Sequence, residues 1–454
     1  MRLQNSAAAV RRGAETMFLL DGKAQTPWQE GRELSAGRGK WLSLPGRTPL
    51  LHQPAKVVEY MTTKTMLLDM IFPGLMLLVL LAFGGIYRQG RLYIRRGEGE
   101  PGPMPGESWP EVALVIPVAG ATPQLAANLR SRLTQDYPNY TVIFAVRSAA
   151  DPAVAVINSL LPQFPSARLV VCGPAADCGQ KNHNLLRSIS AVGPKVAILV
   201  TADANQTAPP HWLRALVRPI LNGEAEVASG FHHIVPLDHH LATLGRLVTV
   251  LLIYLGKGMS AWDQPWGGAT AIRRQTWERL RVAELWAQTV VDDVTLAKRL
   301  QAAGVPMAAA AGAVLHTPAQ ETLGSWAAWL SRQWLYLKFY FPLPWALAGL
   351  GTLLLLGLVL MALGQVVLAG INGLAGPGAL ASAGFLLGLA GFFLALRRLH
   401  PHPGPWPSFL AAAFLTLALA AWCHARTWGR RTLAWHRLVY TVDRQGRVAA
   451  IHEV

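Results

Sequence analysis

The feature that most constrains this chain is the run from Met66 to Tyr87, which is apolar at nearly every position apart from Asp69. A helix rises ~1.5 Å per residue and a bilayer core is ~30 Å thick, so a run of this length can span one. Three further apolar stretches lie near 343–363, 378–396 and 407–423, separated by "GINGLAGPG" and "RRLHPHPGP". A chain carrying such segments must cover them with lipid or with protein. The composition agrees: 52% of the 454 residues are hydrophobic and 15% charged, and the apolar excess is concentrated rather than spread.

The first run is followed by "RQGRLYIRR". The positive-inside rule puts this basic flank, and the domain after it, in the cytoplasm. The net charge of +16 suits anionic lipid or a phosphorylated substrate. The basic residues collect near membrane flanks and in the tail, without a nucleic-acid motif, so no nucleic-acid partner is expected. Cys172, Cys178 and Cys423 form no disulfide framework and match no zinc spacing, and are read as structural. Residues 1–60 are polar, lack the apolar centre of a secretory signal, and are expected to be disordered. Met61 reads as a natural start, which makes residues 1–60 an over-long gene prediction in this reading. The expected organisation is an extension over 1–63, a transmembrane helix over 64–88 and a basic Gly/Pro linker over 89–110. An α/β domain follows over 111–320, an interfacial amphipathic helix over 321–342, about three spans over 343–424 and a basic hairpin-like tail over 425–454. Three spans after a cytoplasmic domain leave the tail on the opposite side, unless one apolar stretch is re-entrant or the charge rule fails.

From Glu111, "EVALVIPV", "YTVIFAV", "ARLVVC" and "KVAILVTA" read as buried strands, with "EVASGFHHIVP" a further one. Between the first four lie helical stretches, with Thr122 and Asp151 as plausible caps. Alternating β and α elements imply a mostly parallel, Rossmann-like sheet whose ligands bind beyond the carboxyl ends of its strands.

Several polar residues fall at those ends. Asp203, in "TADAN", either holds a divalent metal and a nucleotide diphosphate or, with Asn205, organises the turn. Asp292 and Asp293 open the helix "VTLAKRL", where they either cap it or supply a general base of raised pKa. Lys181, His183 and Asn184 lie at a helix start, as phosphate contacts or as solvated polar groups. Asp151 precedes Pro152 at another helix start and is ambiguous alone. Arg273 and Arg274 in "WGGATAIRR" are phosphate contacts or surface charge, and the glycines there permit close backbone approach. "FHHIVPLDHH" lacks a convincing metal-ligand pattern.

Taken in order, "LVIPVAG", "LTQDYPNYTVIFAVRSAADPA", "GQKNHNLL", "TADAN", "WGGATAIRR", "VVDDVTLAKRLQAAG" and "WLSRQWLYLKFY" resemble the inverting GT-A glycosyltransferases of the family-2 kind. The similarity is greatest to the ceramide glucosyltransferase group and its bacterial hopanoid-glycosylating relatives. It covers about residues 111–340, and "TLAWHRLVYTV" resembles the group's W-x-x-x-x-Y ending. The resemblance implies a GT-A catalytic domain with helical transmembrane segments. It implies nucleotide-sugar binding by Pro117, Asp151, Lys181 and Asp203, with Asp203 the ligand of a Mg²⁺ or Mn²⁺ ion. Asp293 falls on the catalytic base, and Arg332, Gln333 and Trp334 on the (Q/R)-x-x-R-W motif of the acceptor and diphosphate side. Two departures stand out: Leu330 replaces the first Gln or Arg of that motif and Arg332 sits one position early, while Thr201 replaces a second acid before Asp203. The implied reaction is direct displacement of UDP from a UDP-sugar by a lipid hydroxyl. The competing expectations are a processive polysaccharide synthase and a non-catalytic sugar-nucleotide-binding membrane protein.

Overall fold

A computed structural model of the chain describes residues 54–97, 109–257, 259, 264–373 and 376–454. The extension up to residue 53 and most of the linker after residue 97 lie outside the described residues. The first helix, α1 (Pro54–Arg96), is longer at both ends than the expected 64–88. The basic flank read as linker is its last turns. Arg95 and Arg96 there complement the negative end of the helix dipole. Tyr93 and Ile94 are buried against the α/β domain, Tyr93 edge-on to Tyr254 at 5.8 Å.

The domain runs β1 (Val112–Pro117), α2 (Leu125–Leu133), β2 (Tyr140–Val146), α3 (Ala153–Leu160), β3 (Ala167–Val171), α4 (Gln180–Ile189), β4 (Ile198–Ala202), α5 (Trp212–Leu221) and β5 (Val227–Pro236). It continues with α6 (Leu241–Gly256), β6 (Ala269–Arg273), α7 (Arg274–Arg279), α8 (Val282–Trp286), α9 (Asp293–Ala303) and β7 (Met307–Ala319). Strand order in the sheet is β3-β2-β1-β4-β6-β5-β7. All pairings are parallel except those of β6, which runs antiparallel to both β4 and β5. The mostly parallel α/β class expected from the strand–helix alternation is therefore present. β1 lies between β2 and β4 with both faces covered, which is why Val112–Ile116 is an unbroken apolar run. Of the two expected caps, Thr122 offers only its carbonyl to Leu125. The Asp151 carboxylate does cap α3, accepting from the Ala153 N–H at 2.9 Å.

Several elements escaped the sequence reading: α5, α6, β6, α7, α8 and β7. The Ala-rich segment "MAAAAGAVLHTPA" is β7, whose small residues fit against β5 and α5. The apolar helix α6 has 16 residues, or ~24 Å, too short for a bilayer core. It is buried instead between β5 and the C-terminal helices.

After the domain come α10 (Leu323–Tyr340), α11 (Pro342–Asn372), α12 (Pro377–Arg397) and α13 (Trp406–Thr427). Among the described residues, four helical segments are long and apolar enough to cross a membrane: Ile71–Arg96, α11, α12 and α13. They are not equivalent. Within their most apolar windows, 6% of Ile71–Arg96 but 44% of α13 is buried inside the protein. α13 packs along α6 and α10, and the Trp326 indole of α10 packs against α6 where a Cβ on Gly245 would come within 2.2 Å of it. The segment before α13 meets the domain, and the segment at its other end meets α10. The loop before α13 sets His400 edge-on to His233 of β5 at 4.9 Å. Beyond its other end, Lys338 of α10 donates to the Thr427, Trp428 and Arg430 carbonyls.

The tail is a three-stranded antiparallel sheet, β8 (Thr432–Trp435), β9 (Leu438–Val442) and β10 (Val448–Glu453), one strand more than the expected hairpin. Its core residues Leu433, Tyr440 and Val442 pack on Val290 and Val291 of the domain and on Leu335 of α10. The tail therefore shares a side with the α/β domain, contrary to a simple alternation of three spans. This predicts that cysteines introduced at Arg444 and at Ser159 are labelled by a membrane-impermeant maleimide from the same face of sealed vesicles. Labelling from opposite faces would overturn the arrangement.

Candidate active site

Asp203 follows β4 directly, at the carboxyl edge of the sheet. Its carboxylate lies 2.9 Å from the Lys181 ammonium and remains one-third exposed. Lys181 is the second residue of α4, and the same ammonium lies 2.9 Å from the Asp292 carboxylate and donates to the Gly267 carbonyl at 3.3 Å. One cation therefore ties together the end of β4, the start of α4, the start of α9 and the loop before β6. Burial opposes the charge, yet Asp203, Asp292 and Asp293 hold the Lys181 pKa above the ordinary lysine range. Removing one partner from a buried pair of this kind costs on the order of 3–5 kcal/mol.

The acidic pair divides its work. Asp292 is the N-cap residue of α9; its side chain meets Lys181 and its carbonyl accepts from the Trp286 indole at 3.0 Å. Asp293 turns the other way. Its carboxylate accepts from the Gly267 N–H at 3.0 Å and its own neighbour Val294 N–H at 2.7 Å. Burial and then the adjacent Asp292 charge raise the Asp293 pKa to about 6, against the opposing pull of Lys181. A carboxylate near that value is suited to accept a proton at neutral pH.

Gly267 is required by this packing. A Cβ there would fall 2.3 Å from the Asp292 carboxylate and 2.6 Å from the Lys181 ammonium. The loop is set by Trp266, whose ring stacks on His232 at 4.4 Å, while His232 is fixed by Thr317 of β7 at 2.7 Å. The histidine-rich stretch thus contributes packing, and no group of three or more metal-ligating side chains occurs among the described residues.

The remaining sequence candidates separate by position. Pro117 ends β1 at the same carboxyl edge, paired with Ala145. Asp151 ties the loop after β1 to the start of α3, its carboxylate accepting from the N–H groups of Gly120 and Ala153, each at 2.9 Å. Asn205 accepts from Gln206. His183 and Asn184 face inward, His183 to the Cys172 carbonyl at 3.0 Å and Asn184 to Gln180 at 2.8 Å. Arg273 pairs with Ile198 at the amino end of β4, so it and Arg274 lie at the far edge of the sheet, bound to the Ile220 and Gly193 carbonyls. That excludes them from the site. All three cysteines are buried and free.

Helix α10 presents two faces. Leu330 and Trp334, four apart, are buried against Leu419 and Cys423 of α13, with Trp334 edge-on to His424 at 4.9 Å. The structure therefore removes Trp334 from the expected acceptor lining: it is packing between helices. Arg332 and Tyr336, also four apart, form the other face, because two positions turn a helix by ~200°. Tyr336 was missed by the sequence reading. Burial pushes its phenol up to about 12, and it lies among the charges of Arg332, Asp293, Lys181 and Asp292. Gln333 is half-buried between these faces, so the register shift that puts Gln before Trp leaves the arginine on the side of the acids. A second missed residue, Arg132, is wholly buried behind Asp203, reaching its carbonyl at 3.4 Å and stacking on Trp212 at 4.4 Å.

The chain is similar to known proteins. A model of the family "Glycosyl transferase family 21" matches residues 76–448. The chain is 29% identical over 146 residues to a ceramide glucosyltransferase of Komagataella phaffii, a stretch covering 29% of this chain and 28% of that protein. It is 29% identical over 94 residues to ceramide glucosyltransferase 3 of Caenorhabditis elegans, covering 20% of each. The matched stretches thus span less than a third of these curated relatives. Among solved structures, the mannosyltransferase PcManGT from Pyrobaculum calidifontis, in complex with GDP-Man and Mn²⁺, is similar at a TM-score of 0.48 and 18% identity, covering 79% of this chain and 99% of that one. Glucosyl-3-phosphoglycerate synthase from Mycobacterium tuberculosis, in complex with Mn²⁺ and UDP-Glc, is similar at 0.33 and 20% identity, covering 51% and 80%. The family match reaches from the first apolar helix through the acidic centre to the last strand, and the chain belongs to glycosyl transferase family 21.

Proposed function

We propose that this protein is an inverting glycosyltransferase that moves a sugar from a UDP-sugar to a hydroxyl of a membrane lipid of the ceramide class. The observation that carries this reading is the arrangement around Lys181: its ammonium holds the part-exposed Asp203 and the buried Asp292, and leaves Asp293 outside the ion pair, bound only to the Gly267 and Val294 N–H groups.

In this reading the donor lies over the carboxyl edge of the sheet, with its diphosphate at Asp203 and its nucleoside towards Pro117 and Asp151. A phosphate-bound Mg²⁺ or Mn²⁺ commonly takes one or two protein carboxylates and completes its shell with phosphate and water. Asp203 fits that role, since it is one-third exposed at the strand end and shares only part of its charge with Lys181. The metal would neutralise the diphosphate leaving group. Asp293 takes the proton from the acceptor hydroxyl, and that oxygen attacks the anomeric carbon from the face opposite UDP. Arg332 adds positive charge on the departing side. An α-linked donor then yields a β-linked product. The lipid acceptor is supported by the apolar helices next to the domain and by the names of the ceramide glucosyltransferase relatives. The basic end of α1 supports a cytoplasmic site, and the membrane in this proposal is a bacterial inner membrane.

Radiolabelled UDP-sugar incubated with the protein in lipid vesicles should give label in the organic phase; an insoluble labelled polymer would instead indicate a polysaccharide synthase. Asp293→Asn should lower transfer by roughly 10²–10⁴-fold while sparing UDP binding, whereas Asp203→Ala should remove the metal-dependent part of UDP binding. Full turnover in both variants would refute the assignment. A base must be deprotonated to act, so kcat/KM should fall as pH drops below about 6 and level off above it, following Asp293. An acid limb near pH 4 would contradict this role. Gly267→Ala should lower kcat/KM by roughly 10²-fold by displacing Lys181 and Asp292, and unchanged kinetics would mean that the loop yields freely.

A further inference from the structure

The C-terminal sheet is bound to the catalytic edge at three separate places. The Tyr440 hydroxyl accepts the N–H of Gln180, the residue before Lys181, at 3.0 Å. The Glu453 carboxylate receives both arms of the Arg147 guanidinium, each at 3.0 Å, just beyond β2. The Val448 N–H donates to the Gln288 carbonyl at 2.9 Å, beside a backbone bridge between Thr289 and Arg447. These anchors fix the sheet across the ends of β2 and α4 and the acidic loop. A module that served only to finish the chain would not need to meet all three.

Trp435 pairs with Leu438, so the turn from β8 to β9 consists of His436 and Arg437. The Val454 N–H donates to the Arg437 carbonyl at 2.8 Å, placing that turn beside Glu453 and hence at the β2 edge. His436 adopts a left-handed backbone, φ 51°, one of only two non-glycine residues to do so among the described residues. A positive φ at the first residue is what a two-residue hairpin turn of this kind requires. The imidazole is exposed at the turn, yet close enough to Arg332 of α10 and to Asp151 of the loop after β2 for their charges to act on it. It thus stands between the helix that faces the acids and the loop assigned to the nucleoside side. A donor lying from Asp151 to Asp203 has its diphosphate between these groups.

We propose that the C-terminal sheet is a wall of the donor site and that His436 contacts the diphosphate of the bound nucleotide beside Arg332. Partial desolvation by the groups around the turn first, and the Arg332 charge second, lower the imidazole pKa, which favours the neutral ring; that ring keeps one N–H to donate. This assignment rests on the reading of the site as a nucleotide-sugar site.

The test is calorimetric binding of UDP and of uridine to the full-length protein in nanodiscs with Mn²⁺. His436→Ala should weaken UDP roughly tenfold or more, a loss expected for a hydrogen bond to a charged group, while leaving uridine unchanged. His436→Gln, which keeps a donor, should recover much of the difference, and His452→Ala on the same sheet should bind like the wild type. Loss of UDP and uridine alike would mark His436 as structural and overturn the proposal, as would wild-type affinity in His436→Ala. A measurement on the unaltered protein guards against misfolded variants: UDP, but not uridine, should protect His436 from diethylpyrocarbonate, read by peptide mass spectrometry. Equal modification with and without UDP overturns the contact. If the wild type binds UDP in an Asp203-dependent way but His436 is indifferent, only this inference falls; if the wild type binds no UDP, the functional reading falls with it.

Discussion

The ammonium of Lys181, held between Asp203 and Asp292, is the contact on which the rest of the site depends. Carboxylates from a strand end and a helix start cannot be gathered in a half-buried cleft without a counter-charge, because their desolvation and mutual repulsion oppose it. Lysine supplies that charge from a third element. Gly267 gives it room, and the stacked pair of Trp266 and His232 fixes the loop that carries the glycine. Asp293 is left outside the ion pair, close enough to Asp292 to be raised and close enough to Lys181 to be restrained.

Much of this centre was legible because its residues fall where local pattern changes. Asp203 ends an apolar strand, Lys181 begins a helix, and the acidic pair opens another, so each is placed by the element beside it. What the pattern could not supply was direction. Asp292 and Asp293 are adjacent in sequence, but only the folded helix start turns one to the lysine and the other to Gly267. Trp334 and Arg332 belong to one motif, yet helical phase sends the tryptophan to α13 and the arginine towards the acids. Tyr336 shares a face with Arg332, a relation visible in spacing only after that face is known.

At the level of the fold, the short strands and the apolar runs were readable from periodicity and length. α6 was not, because an apolar helix too short for a bilayer gives neither a span signal nor an amphipathic one. The Ala-rich β7 was not named as a strand, since alanine favours helix and only packing against β5 and α5 decides otherwise. The side occupied by the tail depends on its sheet packing on Val290 and Val291 of the domain, a tertiary fact that hydropathy does not carry.

The hydrogen bond from the Gln180 N–H to Tyr440 spans 260 positions of sequence. It joins the helix bearing the central lysine to a strand that emerges after all four apolar helices. During synthesis, the acidic centre can be assembled in outline while those helices are still entering the bilayer. Its last support arrives only when translation has passed them. A chain cut before the end of those helices would therefore keep the acidic residues and their lysine but lack this support.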